Sequence, residues 1–197
     1  MVDHARAVGP ASGHTVHAPL IYVGGKLSSD RMVLEGLTPA HAPLMIEGFA
    51  DASLYRWIDV TPPADSDELE RRFRRIANPY APSGELWLNW AMLLRETGRY
   101  VGLIEATVRP DRVVHLAYYV FTAYMRRGLA REACTTIIDH LWHAYDATEI
   151  RADSDFRNVP SRCLLESLGF TRRAHTRTTK VHGLPSVDYR YRLKRAG

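Results

Sequence analysis

The sequence predicts a mixed α/β (α+β) fold: a mostly antiparallel sheet of about seven strands with helices on both faces. Three observations carry this. Residues 85–121 alternate with period two and are broken only at the turns Glu96-Thr97-Gly98 and Pro110-Asp111. Those turns are too short for parallel pairing, so the three strands form an antiparallel meander. The segments on either side carry apolar residues at helical spacing, which supplies helices to cover the sheet.

Residues 1–18 are rich in Gly, Ala, Pro and His, lack periodicity, and read as a loose arm ahead of a single domain over 19–197. His4, His14 and His17 do not match a metal-ligand spacing, and no metal is expected. Arg31 to Gly36 reads as a strand. Thr38-Pro39 opens a helix, with Thr suited to the cap and Pro to the first helical position. Leu44, Met45, Gly48 and Phe49 form its apolar face. Asp51 to Val60 is a short aromatic-rich helix or loop. Asp65 to Ala77 is a second helix, with acids in its first turn, bases in its last, and Leu69, Phe73 and Ile76 facing inward. The meander strands follow: Glu85 to Arg95, Tyr100 to Arg109 and Arg112 to Phe121. A long helix runs to about Tyr145, with Ala133, Ile137 and Leu141 in one row and Ala130, Cys134, Ile138 and Trp142 in another. A strand at Thr148 to Ala152 and a helix at Pro160 to Ser167 come next. Two final strands, about 170–178 and 186–193, turn at His182-Gly183-Leu184-Pro185.

Composition narrows the function. The chain has 197 residues, 46% hydrophobic and 24% charged, which argues against a disordered chain. No apolar run approaches the roughly 20 residues a membrane helix needs. The start lacks an apolar stretch behind a basic one, so no secretory signal is expected. The two cysteines, Cys134 and Cys163, exclude a disulfide framework and an all-cysteine zinc site. A reducing, cytoplasmic setting is the expectation. The net charge of +4 is uneven: residues 171–197 carry +7 and the rest −3. That end suits either a polyanionic partner or a pair of strands with solvated outer faces. No aromatic-basic interleaving of the RNA-binding kind is present, so nucleic acid is not an expected partner.

The chemistry concentrates in Tyr118 to Ala133, YYVFTAYMRRGLAREA. A strand ends, Gly128 allows close backbone approach, Arg126 and Arg127 stand beside it, and a helix begins. Free amides at a helix start, with two arginines, suit a phosphate-bearing ligand. No Gly-Lys-Ser/Thr follows, and only one glycine is present, so neither a Walker loop nor a dinucleotide fingerprint fits. About thirty residues on come Asn158-Val159-Pro160-Ser161 and Leu168-Gly169-Phe170.

On these two blocks the sequence resembles the GNAT acyltransferases. Their acetyl-CoA loop, [QR]-x-x-G-x-[GA] at a helix start, matches Arg126-Arg127-Gly128-Leu129-Ala130. Their later N-x-x-[SA] and Leu-Gly-Phe signature matches Asn158, Ser161 and Leu168 to Phe170. The resemblance covers about residues 28–193 and is greatest to the ribosomal-protein N-terminal acetyltransferase (RimJ/RimL-like) branch. That branch also contains enzymes for small amines, so it does not fix the acceptor. Three positions depart from the pattern. The first loop position is Met125, the tyrosine used by many members as general acid falls at Leu165, and a frequent strand carboxylate is replaced by His115.

The resemblance implies acetyl transfer from acetyl-CoA, as co-substrate, to a primary amine by direct attack in a ternary complex. Backbone groups of Tyr119, Val120 and Phe121 would hold the pantetheine arm, and an amide at Tyr119 or Val120 would meet the oxyanion. Amides of Arg126, Arg127, Gly128, Leu129 and Ala130 would hold the pyrophosphate, and Asn158 the pantetheine. Ser161 would protonate the leaving thiolate, or serve as a helix cap. An amine with reference pKa near 8 to 10.4 needs a base. His115 and Glu105 are the candidates, each with a structural alternative; Glu105 could instead pair with Arg95 or Arg112. Tyr55, Trp57, Asp59, Asn89 and Trp90 could line the acceptor cleft or simply pack. The partners expected are acetyl-CoA and an amine, from a small molecule or a peptide or protein N-terminus, with no membrane and a homodimer left open. The competing reading is a non-catalytic acyl-CoA-binding or sensing domain.

Overall fold

The computed structural model describes residues 25–81 and 83–195, so the proposed arm at 1–18 lies outside the described residues. Eight strands form one sheet in the order β1-β2-β3-β4-β5-β6-β8-β7. They are β1 (Leu27–Ser28), β2 (Met32–Gly36), β3 (Leu86–Leu94), β4 (Arg99–Val108), β5 (Val113–Val120), β6 (Glu149–Asp155), β7 (Thr171–Val181) and β8 (Leu184–Lys194). The helices are α1 (Ala42–Phe49), α2 (Ser66–Ile76), α3 (Leu129–Ala144) and α4 (Val159–Ser167).

The expected seven strands become eight through β1, a two-residue strand too short for any periodicity to show. The final hairpin is also tighter than its sequence suggests. Its turn is His182-Gly183 alone, both in the left-handed region (φ 51° and 77°), so the strands run to Val181 and from Leu184. Two consecutive positive φ values match the twist of a two-residue hairpin. Pro185 is tolerated inside β8 because the pairing with β6 starts only at Asp188, and its own partner Lys180 lies on β7.

Each face of the sheet has its own core. One cluster joins Ile104, Val114, Leu116 and Trp90 to Leu129, Cys134, Ile137 and Leu141 of α3 and Leu165 of α4. The other joins Ala91, Leu103 and Phe121 to Ala42, Met45 and Phe49 of α1 and Leu69 and Phe73 of α2. Leu44, expected on the inner face of α1, points outward at 64% exposure. It stands about 100° around the helix from Met45, off the stripe made by Ala42, Met45 and Phe49. Asp65 caps α2, its carboxylate accepting from the Glu68 amide at 2.8 Å. Edge strand β7 is almost wholly exposed and polar, which is how a sheet edge avoids pairing with another chain. The C-terminal basic charge therefore lies mainly on a solvated hairpin.

Candidate active site

The sheet opens in its middle. Strands β5 and β6 pair in parallel only over Val113–His115 and Glu149–Arg151. Beyond that, among the described residues, β6 pairs with β8 alone and β5 with β4 alone. Two interior strand edges thus face each other without a ladder, which leaves backbone groups free for an extended ligand. Their direction follows from the pleat. The Phe121 amide donates to the Val101 carbonyl at 2.9 Å, and the Tyr119 carbonyl lies against Gly102. Backbone groups of Tyr119 and Phe121 therefore point to β4, and those of Tyr118 and Val120 point into the opening. Of the amides of Tyr119 and Val120, that of Val120 points into the opening. Gly102 is required here, because a Cβ would stand 2.1 Å from the Tyr119 carbonyl oxygen.

The opening leads to the start of α3. Gly128 caps this helix with φ 75°, and Arg126 is also left-handed at φ 63°. The first helical amide to find a carbonyl is that of Glu132, on Gly128 at 3.2 Å. The amides from Arg126 to Arg131 have no acceptor among the described residues. Together with the helix dipole they form a concave donor set for an anion. Arg126 is exposed with no ion pair among the described residues, while Arg127 pairs loosely with Glu96 at 3.6 Å. The donor set fits a pyrophosphate.

A brace that the sequence did not signal holds this loop. Glu132, in the first turn of α3, accepts from Ser29 Oγ (2.6 Å), the Arg31 amide (2.8 Å) and Arg31 Nε (2.6 Å). Arg31 Nη1 in turn donates to the Arg127 carbonyl at 3.0 Å. These contacts tie the loop to the turn between β1 and β2, about a hundred residues away.

On the face covered by α1 and α2, Glu105 pairs across the strands with Asn89 and Ala117. Ala117 is exposed although it sits in a central strand, so the sheet face is open there. Glu105 is partly buried and has no hydrogen bond or ion pair among the described residues; burial raises its pKa. Arg95 and Arg112 do not reach it. The Tyr119 hydroxyl is near enough for Glu105 to raise its pKa further, behind the larger effect of burial. His115 lies next along the same face. Burial lowers its pKa, opposed by Asp153 and reinforced by Arg151, Arg109 and Arg190.

The remaining expected residues are distributed unevenly. Asn89 donates from Nδ2 to the Ile76 carbonyl at 2.7 Å on the Glu105 face. Trp90, its neighbour, faces the other way and is 2% exposed in the α3 core, a packing position because strand side chains alternate. Tyr55 is buried, and its hydroxyl donates to the Phe49 carbonyl at 2.9 Å. Asp59 accepts from the His182 amide at 2.9 Å, and the His182 ring contacts the Tyr55 carbonyl at 3.0 Å. Trp57 lies under the guanidinium of Arg157 at 5.0 Å. The segment with Tyr55, Trp57 and Asp59 therefore bridges to the β7–β8 turn and to the start of α4, roofing the open face. Arg157 is held there by Asp155, whose buried carboxylate accepts from Nε (2.9 Å) and Nη2 (2.7 Å).

On the α3/α4 face, Asn158 caps α4 through Oδ1, accepting from the Ser161 amide at 3.3 Å. The Ser161 hydroxyl contacts the Tyr118 hydroxyl at 2.8 Å. Leu165, where a tyrosine acid would fall, is fully buried in the core. Among the described residues no group of three or more His, Cys, Asp or Glu could hold a metal, and no helix is long and apolar enough to cross a membrane.

A sheet split between parallel neighbours, with an amide-lined loop at the following helix, is the architecture of an acyl-CoA-dependent acyltransferase. The model of the acetyltransferase (GNAT) domain matches residues 31–171, and the chain belongs to that family of N-acyltransferases. Solved structures agree on the fold. A GCN5-related N-acetyltransferase from Brucella melitensis has 18% identity and a TM-score of 0.75, over 86% of this chain and 78% of that one. A ribosomal-protein-S5-alanine acetyltransferase from Vibrio fischeri has 16% identity and a TM-score of 0.75, over 86% and 96%. An acetyltransferase from Salmonella typhimurium that modifies the N-terminal serine of L7/L12 has 12% identity and a TM-score of 0.74, over 85% and 97%. Comparison with curated proteins finds no match.

Proposed function

We propose that the protein moves an acetyl group from acetyl-CoA to a primary amine, by direct attack within a ternary complex. The acceptor is a small-molecule amine or a peptide or protein N-terminus. One observation carries the reading: Glu105 is a partly buried carboxylate with no hydrogen bond or ion pair among the described residues, beside the open floor at Ala117, across the sheet from the split edge of β5.

The chain's groups divide the work. The amides of Arg126 to Ala130 hold the pyrophosphate, and the Tyr118 and Val120 backbone holds the pantetheine arm. Glu105, its pKa raised by burial, takes a proton from the acceptor ammonium directly or through water. His115 lies further along the floor, among Arg109, Arg151, Arg190 and Asp153, where it would meet the body of the acceptor. The Val120 amide is the donor aimed at the developing oxyanion. The segment from Tyr55 to Asp59, latched by His182, covers the cleft.

The test is thiol release from acetyl-CoA with peptides beginning in serine or alanine and with spermidine as acceptors. Acceptor-dependent release supports the proposal. Tight acetyl-CoA binding with no release from any of them would favour the sensing reading.

A further inference from the structure

We propose that Ala117 determines which acceptors the protein uses. It floors a slot one side chain wide, which admits an amine only when the carbon bearing it carries at most a small substituent. N-termini beginning with Gly, Ala or Ser and unbranched alkyl amines fit this slot, and N-termini beginning with Leu or Phe do not. The inference rests on the acetyl-transfer reading above and names the class of acceptor within it.

The slot follows from register and cover. Ala117 lies directly opposite Glu105 on β4, which puts their Cβ atoms about 5 Å apart. The row Asn89, Glu105, Ala117 crosses β3, β4 and β5 and stops at the split, where β5 has no ladder to β6 among the described residues. On the same face of β5, Tyr119 and His115 flank Ala117, each about 7 Å along the strand. The Tyr119 ring packs against that of Phe49, with centroids 6.0 Å apart. Both flanking side chains are partly buried, whereas Ala117 is exposed. Among the described residues the core under α1 and α2 takes in Phe121 and Tyr119 on β5 and goes no further along that strand. What remains is a gap the width of one missing side chain. Tyr119, His115 and Glu105 wall it, and it is open to solvent and toward the split.

Stability alone does not call for alanine here. Alanine is depleted in strands, and an exposed mid-strand position with no core above it favours Val or Thr. Small size is what the position supplies. Further along the same edge, the Val120 amide points into the opening, so an acetyl group held there stands beside the slot. An amine lying on Ala117 is then between that group and Glu105, the arrangement that attack and proton removal require. A branched or aromatic group on the carbon next to the nitrogen would need the space of the Tyr119 or His115 ring. Phe49 and the α1 core hold Tyr119 in place.

The test is acceptor-dependent thiol release from acetyl-CoA by wild type, Ala117→Val and Ala117→Gly. The acceptors are pentapeptides that differ only in a first residue of Gly, Ser, Leu or Phe, together with spermidine. Wild type should favour the Gly and Ser peptides and spermidine over the Leu and Phe peptides by about 10- to 200-fold in kcat/KM. Ala117→Val should lower kcat/KM for the small acceptors about tenfold or more, with acetyl-CoA affinity in calorimetry unchanged and Tm no lower. Ala117→Gly needs no extra room and should raise use of the Leu peptide relative to the Ser peptide about tenfold. A merely structural role would lower Tm or acetyl-CoA affinity along with turnover, and that result overturns the proposal. So does an Ala117→Val variant within about twofold of wild type on the small acceptors, or a wild type that uses the Phe peptide as well as the Ser peptide. If wild type releases no thiol with any of these amines, the acetyl-transfer reading itself fails and this inference with it. That result is distinguishable, because failure of the slot alone requires release by wild type.

Discussion

Glu105→Gln separates stability from catalysis, because the two should move in opposite directions. The carboxylate lies partly buried in the middle of β4 with no partner among the described residues, and burial raises its pKa. In linkage terms the folded state then holds its proton more tightly than the unfolded state. The stability of the neutral acid is complete below the ordinary value of 4.5 and is lost as pH rises through the raised folded value. Glutamine matches the neutral acid in shape but still has polar atoms to satisfy. Removing a charge without a partner should therefore gain about 1–2 kcal/mol at pH 8, from a penalty of about 1–3 kcal/mol for an unsatisfied buried group. For a chain of this size that is about 2–8 °C in Tm. The gain should shrink steadily toward pH 5. Turnover at neutral pH should fall about 10²- to 10⁴-fold, the usual contribution of a general base, with acetyl-CoA affinity unchanged. Thermal unfolding at pH 5 and pH 8, with steady-state kinetics on the same samples, reads both effects. A lower Tm at pH 8, or turnover within about twofold of wild type, would refute the reasoning.

Three further outcomes are expected. Gly128→Val should abolish measurable CoA binding in calorimetry, since a β-branched residue at φ 75° must distort the amide set; unchanged affinity would sink the loop assignment. Gly102→Ala should destabilise the fold by about 1–3 kcal/mol and weaken CoA binding together, because a Cβ 2.1 Å from the Tyr119 carbonyl must push β5 at the split. Normal Tm and affinity would contradict this. Asp155→Asn should lower stability, because the buried side chain loses the charge that Arg157 and Ser186 hydrogen-bond, measured by urea unfolding near pH 7; an unchanged midpoint would contradict this. Arg157 and Ser186 hold the Asp155 carboxyl down to about 2, so this contribution is present above the ordinary 3.8 and is lost as pH falls toward 2.

Much of this architecture was legible locally. The meander strands, the two apolar rows of α3 and the Gly128 loop each show a short-range pattern that the fold merely repeats. What escaped depends on distance. The Tyr118–Ser161 contact, the Glu132–Arg31 brace and the His182–Asp59 latch join residues far apart in sequence, and no spacing rule relates them. Glu105 was recognisable as an odd carboxylate on an apolar face. Its lack of a partner was not, because Arg95 and Arg112 looked available; they stand just outside the ends of β3 and β5, away from the middle of β4. Trp90 shows the reverse error. Its alternation with Asn89 was readable, but which face was open was not.

The central claim is that the split between β5 and β6 is an acetyl-CoA site. A crystal structure of the protein with CoA tests it most directly. The account predicts the pyrophosphate on the amides of Arg126 to Ala130, the pantetheine between β5 and β6 against Tyr118 and Val120, and the sulfur beside Ser161. CoA bound elsewhere, with the split left empty, would contradict it.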